Sequence, residues 1–305
     1  MIIDLPSTTT REINRRLVRE RDEGGVVALG RVMNLLIDSG DHDPEDAIAA
    51  ANLASREHPC RIIVLSTTSR KRRPNLDAQI RLGGDAGASE VILLWPAGDM
   101  DQEMDTLITP LLLPDAPTVV WWPNEVPDNP SAAPLGKMGR RRITDTTQCT
   151  SPTKTLRRLA DVYTDGDTDL AWARATLWRG LIAATLEQPP FEPVHRAVVV
   201  GESTHPSVDL MAAWLAWALR CPVHVERVKG APAITQVRLE RSSGPIVLDR
   251  PDGKTAALHQ PEQPEHRIAL PIRQLGECLV EELRRLDPDE VYGEVLTKGL
   301  SKIEG

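Results

Sequence analysis

Val26-Val27-Ala28-Leu29-Gly30-Arg31-Val32-Met33-Asn34-Leu35-Leu36-Ile37, closed by Asp38-Ser39-Gly40, is the stretch on which the fold turns. It is too apolar for an exposed element and reads as a buried strand. A helix follows from Pro44 to Arg56, with Asp43 as N-cap, Pro44 in its first position and an Ala-rich face that allows close approach to a sheet. Arg61-Ile62-Ile63-Val64-Leu65-Ser66 is then a second buried strand. Strand, helix and strand in that order make the unit from which parallel sheets are built.

Upstream, Ser7 to Asp22 carries Ile13, Leu17 and Val18 at helical spacing, which predicts an amphipathic helix. Downstream, Leu76 to Leu82 alternates strictly, with Leu76, Ala78, Ile80 and Leu82 on one face, so this strand has a wet side. Glu90 to Trp95 and Thr118 to Trp122 are further strands, with a helix between them at Gln102 to Leu113. Pro123 to Pro134, dense in Pro, Asn and Asp, reads as a loop. The expected organisation is an N-terminal α/β domain over 1–138, a linking region over 139–166 with a short helix from Ser151-Pro152, and a C-terminal α/β domain over 167–305.

The C-terminal domain should open with a long helix, 167–187, stopped by Pro189-Pro190. Ala197 to Gly201, a helix from Pro206 to Leu219 and Pro222 to Val228 form a second strand-helix-strand crossover. That helix has almost no polar side and must be covered on all sides. Ile234 to Glu240, Pro245 to Asp249, Thr255 to His259 and Arg267 to Leu270 read as an antiparallel meander, followed by a helix from Leu275 to Leu286. The fold class is therefore α/β: two tandem domains, mixed sheets flanked by helices, and a meander in the second.

Composition narrows function by exclusion. The chain has 305 residues, 41% hydrophobic and 26% charged, which suits a globular protein rather than a disordered one. A net charge of -8 argues against nucleic acid as the main partner, since phosphate binding needs a concentrated cationic surface. Arg70-Lys71-Arg72-Arg73 and Arg140-Arg141-Arg142 are short basic runs that read as solvated loop faces, with anion or partner steering as the alternative. No stretch reaches about 18 uninterrupted apolar residues, and no leader pattern opens the chain, so a soluble cytoplasmic protein is expected. Cys60, Cys149, Cys221 and Cys278 form no CxxC pair, which fits a reducing compartment.

Catalytic motifs are missing. No G-x-G-x-x-G, P-loop or G-x-S-x-G elbow occurs, and the seven histidines form neither H-x-x-x-H nor H-E-x-x-H. Neither a catalytic set nor a metal or cofactor site is assigned. Asp41-His42-Asp43 looks metal-like, but helix capping explains it more simply. Two turns could hold an anion: Gly83 to Ser89, and Ser203-Thr204-His205 at the start of the second crossover helix, where Glu202 would oppose a phosphate.

The aromatic content is unusual: seven Trp, two Tyr and one Phe. Trp and Arg are the residue types that most often anchor interfaces. Trp214 and Trp217 lie on the apolar helix and are assigned to the core. Trp121 and Trp122 point to opposite faces of one strand, so both cannot enter the same core layer. Arg174 stands four residues before Trp178, placing a guanidinium over an indole, with Trp172 and Arg179 on neighbouring faces. The partner-contact set is therefore Trp121, Trp122, Arg174 and Trp178, with Arg56 and His58, in the charged turn Ser55 to Arg61, as a second patch.

Met1-Ile2-Ile3-Asp4-Leu5-Pro6, Ser55-Arg56-Glu57-His58-Pro59, Leu76 through Glu90, Trp121-Trp122-Pro123 and Asp165-Gly166-Asp167-Thr168-Asp169-Leu170-Ala171-Trp172 occur in this order. In these segments the chain resembles the glucose-6-phosphate dehydrogenase assembly protein family, OpcA, in its actinobacterial form. The resemblance extends to the Leu286-Asp287 region. It implies a non-catalytic partner that assembles or activates glucose-6-phosphate dehydrogenase, the enzyme that opens the oxidative pentose phosphate pathway. No interface residues come with the resemblance, so the contact set above rests on residue chemistry. Self-association is left open. The competing expectation is a sugar-phosphate or nucleotide sensor, or an enzyme, using the turn from Gly201 to His205.

Overall fold

The computed structural model describes residues 1–24, 32–67, 74–83, 90–98 and 104–304. The basic run Arg70 to Arg73, the start of the strand read from Val26, the beginning of the helix read from Gln102 and all but Gly83 of the turn up to Ser89 lie outside these residues. Two units emerge: Met1–Asp145 with Leu275–Pro288, and Thr146–Gln274 with Asp289–Gly305.

In chain order the first unit carries β1 (Ile2–Leu5), α1 (Thr10–Gly24), β2 (Met33–Asp38), α2 (Glu45–Ser55), β3 (Cys60–Leu65), β4 (Asn75–Arg81), β5 (Glu90–Ala97), α3 (Met104–Ile108), β6 (Thr118–Trp122) and β7 (Arg141–Thr144). The second carries α4 (Pro152–Asp161), β8 (Asp167–Asp169), α5 (Leu170–Arg174), α6 (Thr176–Leu186), β9 (Arg196–Glu202), α7 (Pro206–Leu219), β10 (Val223–Val228), β11 (Ile234–Glu240), β12 (Ile246–Asp249), β13 (Thr255–His259) and β14 (His266–Ala269). The chain then contributes α8 (Leu275–Leu283) to the first unit, and α9 (Glu290–Glu294) and β15 (Ile303–Glu304) to the second.

Within the first unit the strands lie in the order β1-β4-β5-β3-β2-β6-β7. From β5 to β7 all neighbours are parallel, while β4 runs antiparallel to β5 and to β1. The strand-helix-strand unit is present, with Leu35 opposite Ile62. Asp43 caps its helix, accepting a hydrogen bond from the Glu45 amide at 3.1 Å. Every residue of β3 and β6 is buried, as expected of parallel strands covered on both faces. On β4 only Leu76, Ala78 and Ile80 are buried, matching its alternation. Ile13 and Leu17 of α1 are buried, but Val18 is exposed, because one residue's step turns it off the stripe that Ile13 and Leu17 share. The helix read to Leu113 stops at Ile108 and passes into a 3-10 turn, Thr109–Leu111, where Pro110 withholds an amide.

Arg140-Arg141-Arg142 is not a solvated loop. Arg141 and Arg142 are buried in β7, parallel to β6, with Arg141 opposite Val119. Arg141 pairs with buried Glu282 of α8 and donates to the Asp287 carbonyl at 2.6 Å, and Arg142 donates to the Gly139 carbonyl at 3.0 Å. Only Arg140 stays outside, on Asp287 at 2.7 Å. A carboxylate 141 residues away in sequence makes this strand tolerable, so no local reading could have found it. Arg61 repeats the pattern: it is 3% exposed and its Nε donates to fully buried Glu90 on the adjacent strand at 3.0 Å.

In the second unit the sheet runs β14-β13-β12-β11-β9-β10-β15, with β9, β10 and β15 parallel and the rest an antiparallel meander. The apolar helix α7 crosses from β9 to β10. Val208, Met211, Ala212 and Leu215 face the sheet core, while Leu210 and Ala213 enter a second cluster with Leu156, Trp172, Tyr292 and Leu296. The covering layer comes from the chain's C-terminal turns, where Gly299 is required: a Cβ there would sit 2.6 Å from the Ala213 carbonyl oxygen. The long helix expected over 167–187 is instead strand β8, then α5 and α6 meeting at Ala175. Aspartates cause this. Asp167 accepts from the Thr164 amide at 3.0 Å, and Asp169 from the Ala171 amide at 2.8 Å and the Thr146 amide at 3.0 Å, so α5 starts three residues late.

Candidate functional site

Trp121 and Trp122 do leave β6 on opposite faces, yet both are buried, at 0% and 3% exposure. A sheet covered on two sides has two core layers, and each indole fills one. They are corrected from partner contacts to core residues. The Trp122 indole donates to Asp38 at 3.2 Å across the C-terminal ends of β6 and β2. Burial pushes the Asp38 carboxyl above the usual carboxylate range, against the hydrogen bonds from Gly40 and Trp122 and with the negative charge of Glu125 adding to the rise. The strand order reverses here: β3 follows β2 on one side and β6 joins it on the other, the position where open α/β sheets form crevices. Asp41, His42 and Glu125 stand beside it with ligating atoms within 4.8 Å of one another, but all three are exposed.

Trp178 is also buried, at 2% exposure, so it too moves from contact surface to core. The cation–π partners differ from those read by helical spacing. Arg179 lies over Trp172 at 3.3 Å, and the cation over Trp178 is Arg250, at 5.0 Å, from the end of the meander's second strand. The break at Ala175 shifts the register between α5 and α6, so residues four apart across it no longer stack. Trp172 also donates from its indole to Asp289 at 2.8 Å and packs against Tyr292 at 5.8 Å between centroids. Arg174 is half-buried and, with Trp178, His205, Ser207, Arg250 and Arg273, lines a pocket of about 60 Å³.

The turn at Ser203, Thr204 and His205 has the donors of an anion site, but they are taken. The Glu202 carboxylate accepts from the Thr204 amide, from the Thr204 and Ser203 hydroxyls at 2.9 Å, and from the Gly230 amide at 3.4 Å. The Thr204 amide above all brings its pKa down to about 2. His205 accepts from the Ser207 amide at 3.3 Å and caps α7. Gly201 permits the close turn, since a Cβ there would lie 2.5 Å from the Ala233 carbonyl. The chain's own carboxylate therefore occupies the place a ligand anion would need, which corrects the reading of this turn as a phosphate site.

Arg56 is exposed and His58 half-buried at the end of α2, beside Glu57, which faces Arg284 at 3.8 Å. None of the four cysteines is in a disulfide; Cys60 and Cys278 are buried, and burial raises the pKa of Cys221. The sequence reading missed Phe191, the chain's one phenylalanine, which is 78% exposed. Its loop is held by the Ser243 amide donating to Glu192 at 3.0 Å and by Arg241 donating to the Pro190 carbonyl at 3.3 Å. The signal for it was available: a lone aromatic between prolines has no periodic partner with which to enter a core. No helix among the described residues is long and apolar enough to cross a membrane.

Two family profiles match the chain, both belonging to a protein described as a glucose-6-phosphate dehydrogenase subunit. The profile of its N-terminal domain matches residues 51–161, and that of its C-terminal domain matches residues 165–296. Among curated proteins, an OxPP cycle protein OpcA from Synechococcus elongatus is 28% identical over 54% of this chain and 41% of its own length. Its counterpart in Synechocystis is 28% identical over 54% of this chain and 34% of its own length. The aligned part thus spans less than half of either relative. Among solved structures, an oxidoreductase from Sinorhizobium meliloti superposes with a TM-score of 0.42 at 11% identity, covering 89% of this chain and 96% of that one. A myo-inositol dehydrogenase from Lactobacillus casei reaches 0.39 at 10% identity, covering 89% and 93%. At that level neither fold nor cofactor carries across.

Proposed function

Since this chain belongs to the OpcA family of glucose-6-phosphate dehydrogenase assembly proteins, we propose that it is a non-catalytic partner of that dehydrogenase and promotes its assembled, active state. The observation that carries the proposal is the pair of family matches, which together run from residue 51 to residue 296 and are both described as domains of a protein associated with the dehydrogenase. A partner raises activity only by binding the active form more tightly than the inactive one, because equal affinity for both shifts nothing.

With Trp121, Trp122 and Trp178 in the core, the contact must use other residues. Phe191 is the best anchor: it is large, apolar and exposed, and its loop is already ordered, so docking it costs little conformational entropy. Arg56, on the other unit, and Arg174 remain as charged contacts. The test is dehydrogenase oligomeric state, substrate affinity and rate measured with and without this chain, and no change in any of the three overturns the proposal. Phe191→Ser should weaken the complex while leaving this chain's own stability within about 0.5 kcal/mol, as for a surface change.

A further inference from the structure

Arg250 is 3% exposed, as deeply buried as the paired arginines of the first unit, yet no ion pair among the described residues includes it. Its Nη1 donates to the Leu270 carbonyl at 3.0 Å, and its Nη2 to the carbonyls of Ile234 at 2.7 Å and Pro232 at 3.4 Å. Its Nε has no hydrogen-bond partner among the described residues. Asp252, whose charge acts on it, spends its carboxylate on the amides of Lys254 and Thr255 at 2.8 and 2.9 Å. Carbonyl dipoles and the Trp178 face orient this cation but do not neutralise it, and a buried guanidinium ordinarily has a counter-charge. Desolvation accordingly pulls its pKa down.

Arg250 forms one wall of the 60 Å³ pocket. Arg174, Arg273 and His205 also line it, Ser207 stands at the start of α7 with its hydroxyl donating to the Ala171 carbonyl at 2.7 Å, and no carboxylate is among the lining residues. Arg273 donates to the Ala173 carbonyl at 2.7 Å. The volume holds about four to six waters at the 10–15 Å³ that each requires. That is the scale of one tetrahedral oxyanion and too small for a nucleotide or a whole sugar. We propose that this pocket binds the phosphoryl group of a small phosphomonoester, or inorganic phosphate, with Arg250 as its charge partner. The site shares His205 with the Glu202 turn but none of Glu202, Ser203 and Thr204, and it stands whether or not the chain binds the dehydrogenase.

The test is calorimetric titration of the full chain with inorganic phosphate, a hexose 6-phosphate and the unphosphorylated hexose. Saturable binding of one equivalent of either phosphate, with none of the neutral sugar, is expected. The tighter of the two identifies the source: the ester if the sugar projects from the pocket mouth, the free ion if it does not. Arg273→Gln removes one charged donor without touching the Arg250 carbonyl contacts, and should weaken binding about tenfold. Arg250→Met should abolish it, and if that variant fails to fold, Trp178→Phe and Arg273→Gln still report on the pocket. No saturable binding to the wild-type chain overturns the proposal, and so does binding that Arg273→Gln leaves unchanged.

Discussion

Buried arginines appear in both units, and their surroundings differ. In the first unit Arg61 faces Glu90 and Arg141 faces Glu282, each carboxylate as buried as its partner, so the charge is answered inside the fold. In the second, Arg250 has carbonyls, an indole face and a pocket wall. Equal burial thus conceals two roles. The paired arginines join β3 to β5 and β7 to α8, whereas Arg250 forms one wall of a pocket and has no ion-pair partner among the described residues. Burial alone does not identify a site; burial without a counter-charge beside a cavity does.

The comparison can be broken by mutation. The largest effect is expected from Arg141→Ala, which strands the Glu282 carboxylate and should cost about 3–5 kcal/mol in denaturant unfolding. Arg141→Met with Glu282→Leu should recover most of that, and a single variant as stable as wild type would remove the distinction. Arg250→Met breaks no ion pair among the described residues, so it should cost less, about 1–3 kcal/mol for its lost hydrogen bonds; a loss equal to that of Arg141→Ala would mean that Arg250 is an architectural residue too.

Smaller effects sharpen the picture. Arg179→Ala loses the stack on Trp172, worth about 0.5–2 kcal/mol, and the thermal midpoint should fall accordingly. Glu202→Gln should have the smallest effect, below about 1 kcal/mol at neutral pH, because the carboxylate is half-buried and screened. Its pH dependence has a definite sign. The folded pKa lies below the unfolded one, so the stabilisation is full above the ordinary 4.5 and is lost as pH falls through about 2. The gap between wild type and variant should close across that window, and a gap that persists at its lower end would show that Glu202 does not act as the bound anion of its turn.

Much of the fold was legible where one pattern dominates a segment. Leu76, Ala78 and Ile80 alternate and are buried; the residues of α7 are almost all apolar and are covered on two faces; Asp43 caps α2 as its position beside Pro44 predicts. Legibility failed where a distant residue supplies the missing term. Arg141 reads as loop until Glu282 is beside it, and 167–169 reads as the first turn of a helix until Asp167 accepts from the Thr164 amide and Asp169 from the Thr146 amide. The candidate site was less legible still. Trp121, Trp122 and Trp178 have no sequence mark that separates core from surface, and Arg250 has no motif at all.

The sequence by itself determined the α/β class, the parallel strand-helix-strand core, the meander and the family, because apolar periodicity and long irregular segments are local properties of the chain. Only the tertiary structure decided that Trp121, Trp122 and Trp178 are buried, that α8 belongs to the first unit, that Glu202 fills its own turn and that Arg250 has no ion-pair partner among the described residues. Each of these depends on which charge or surface meets a group in space, often from tens of residues away, and electrostatic and packing energies are set by that distance, which the order of residues does not contain.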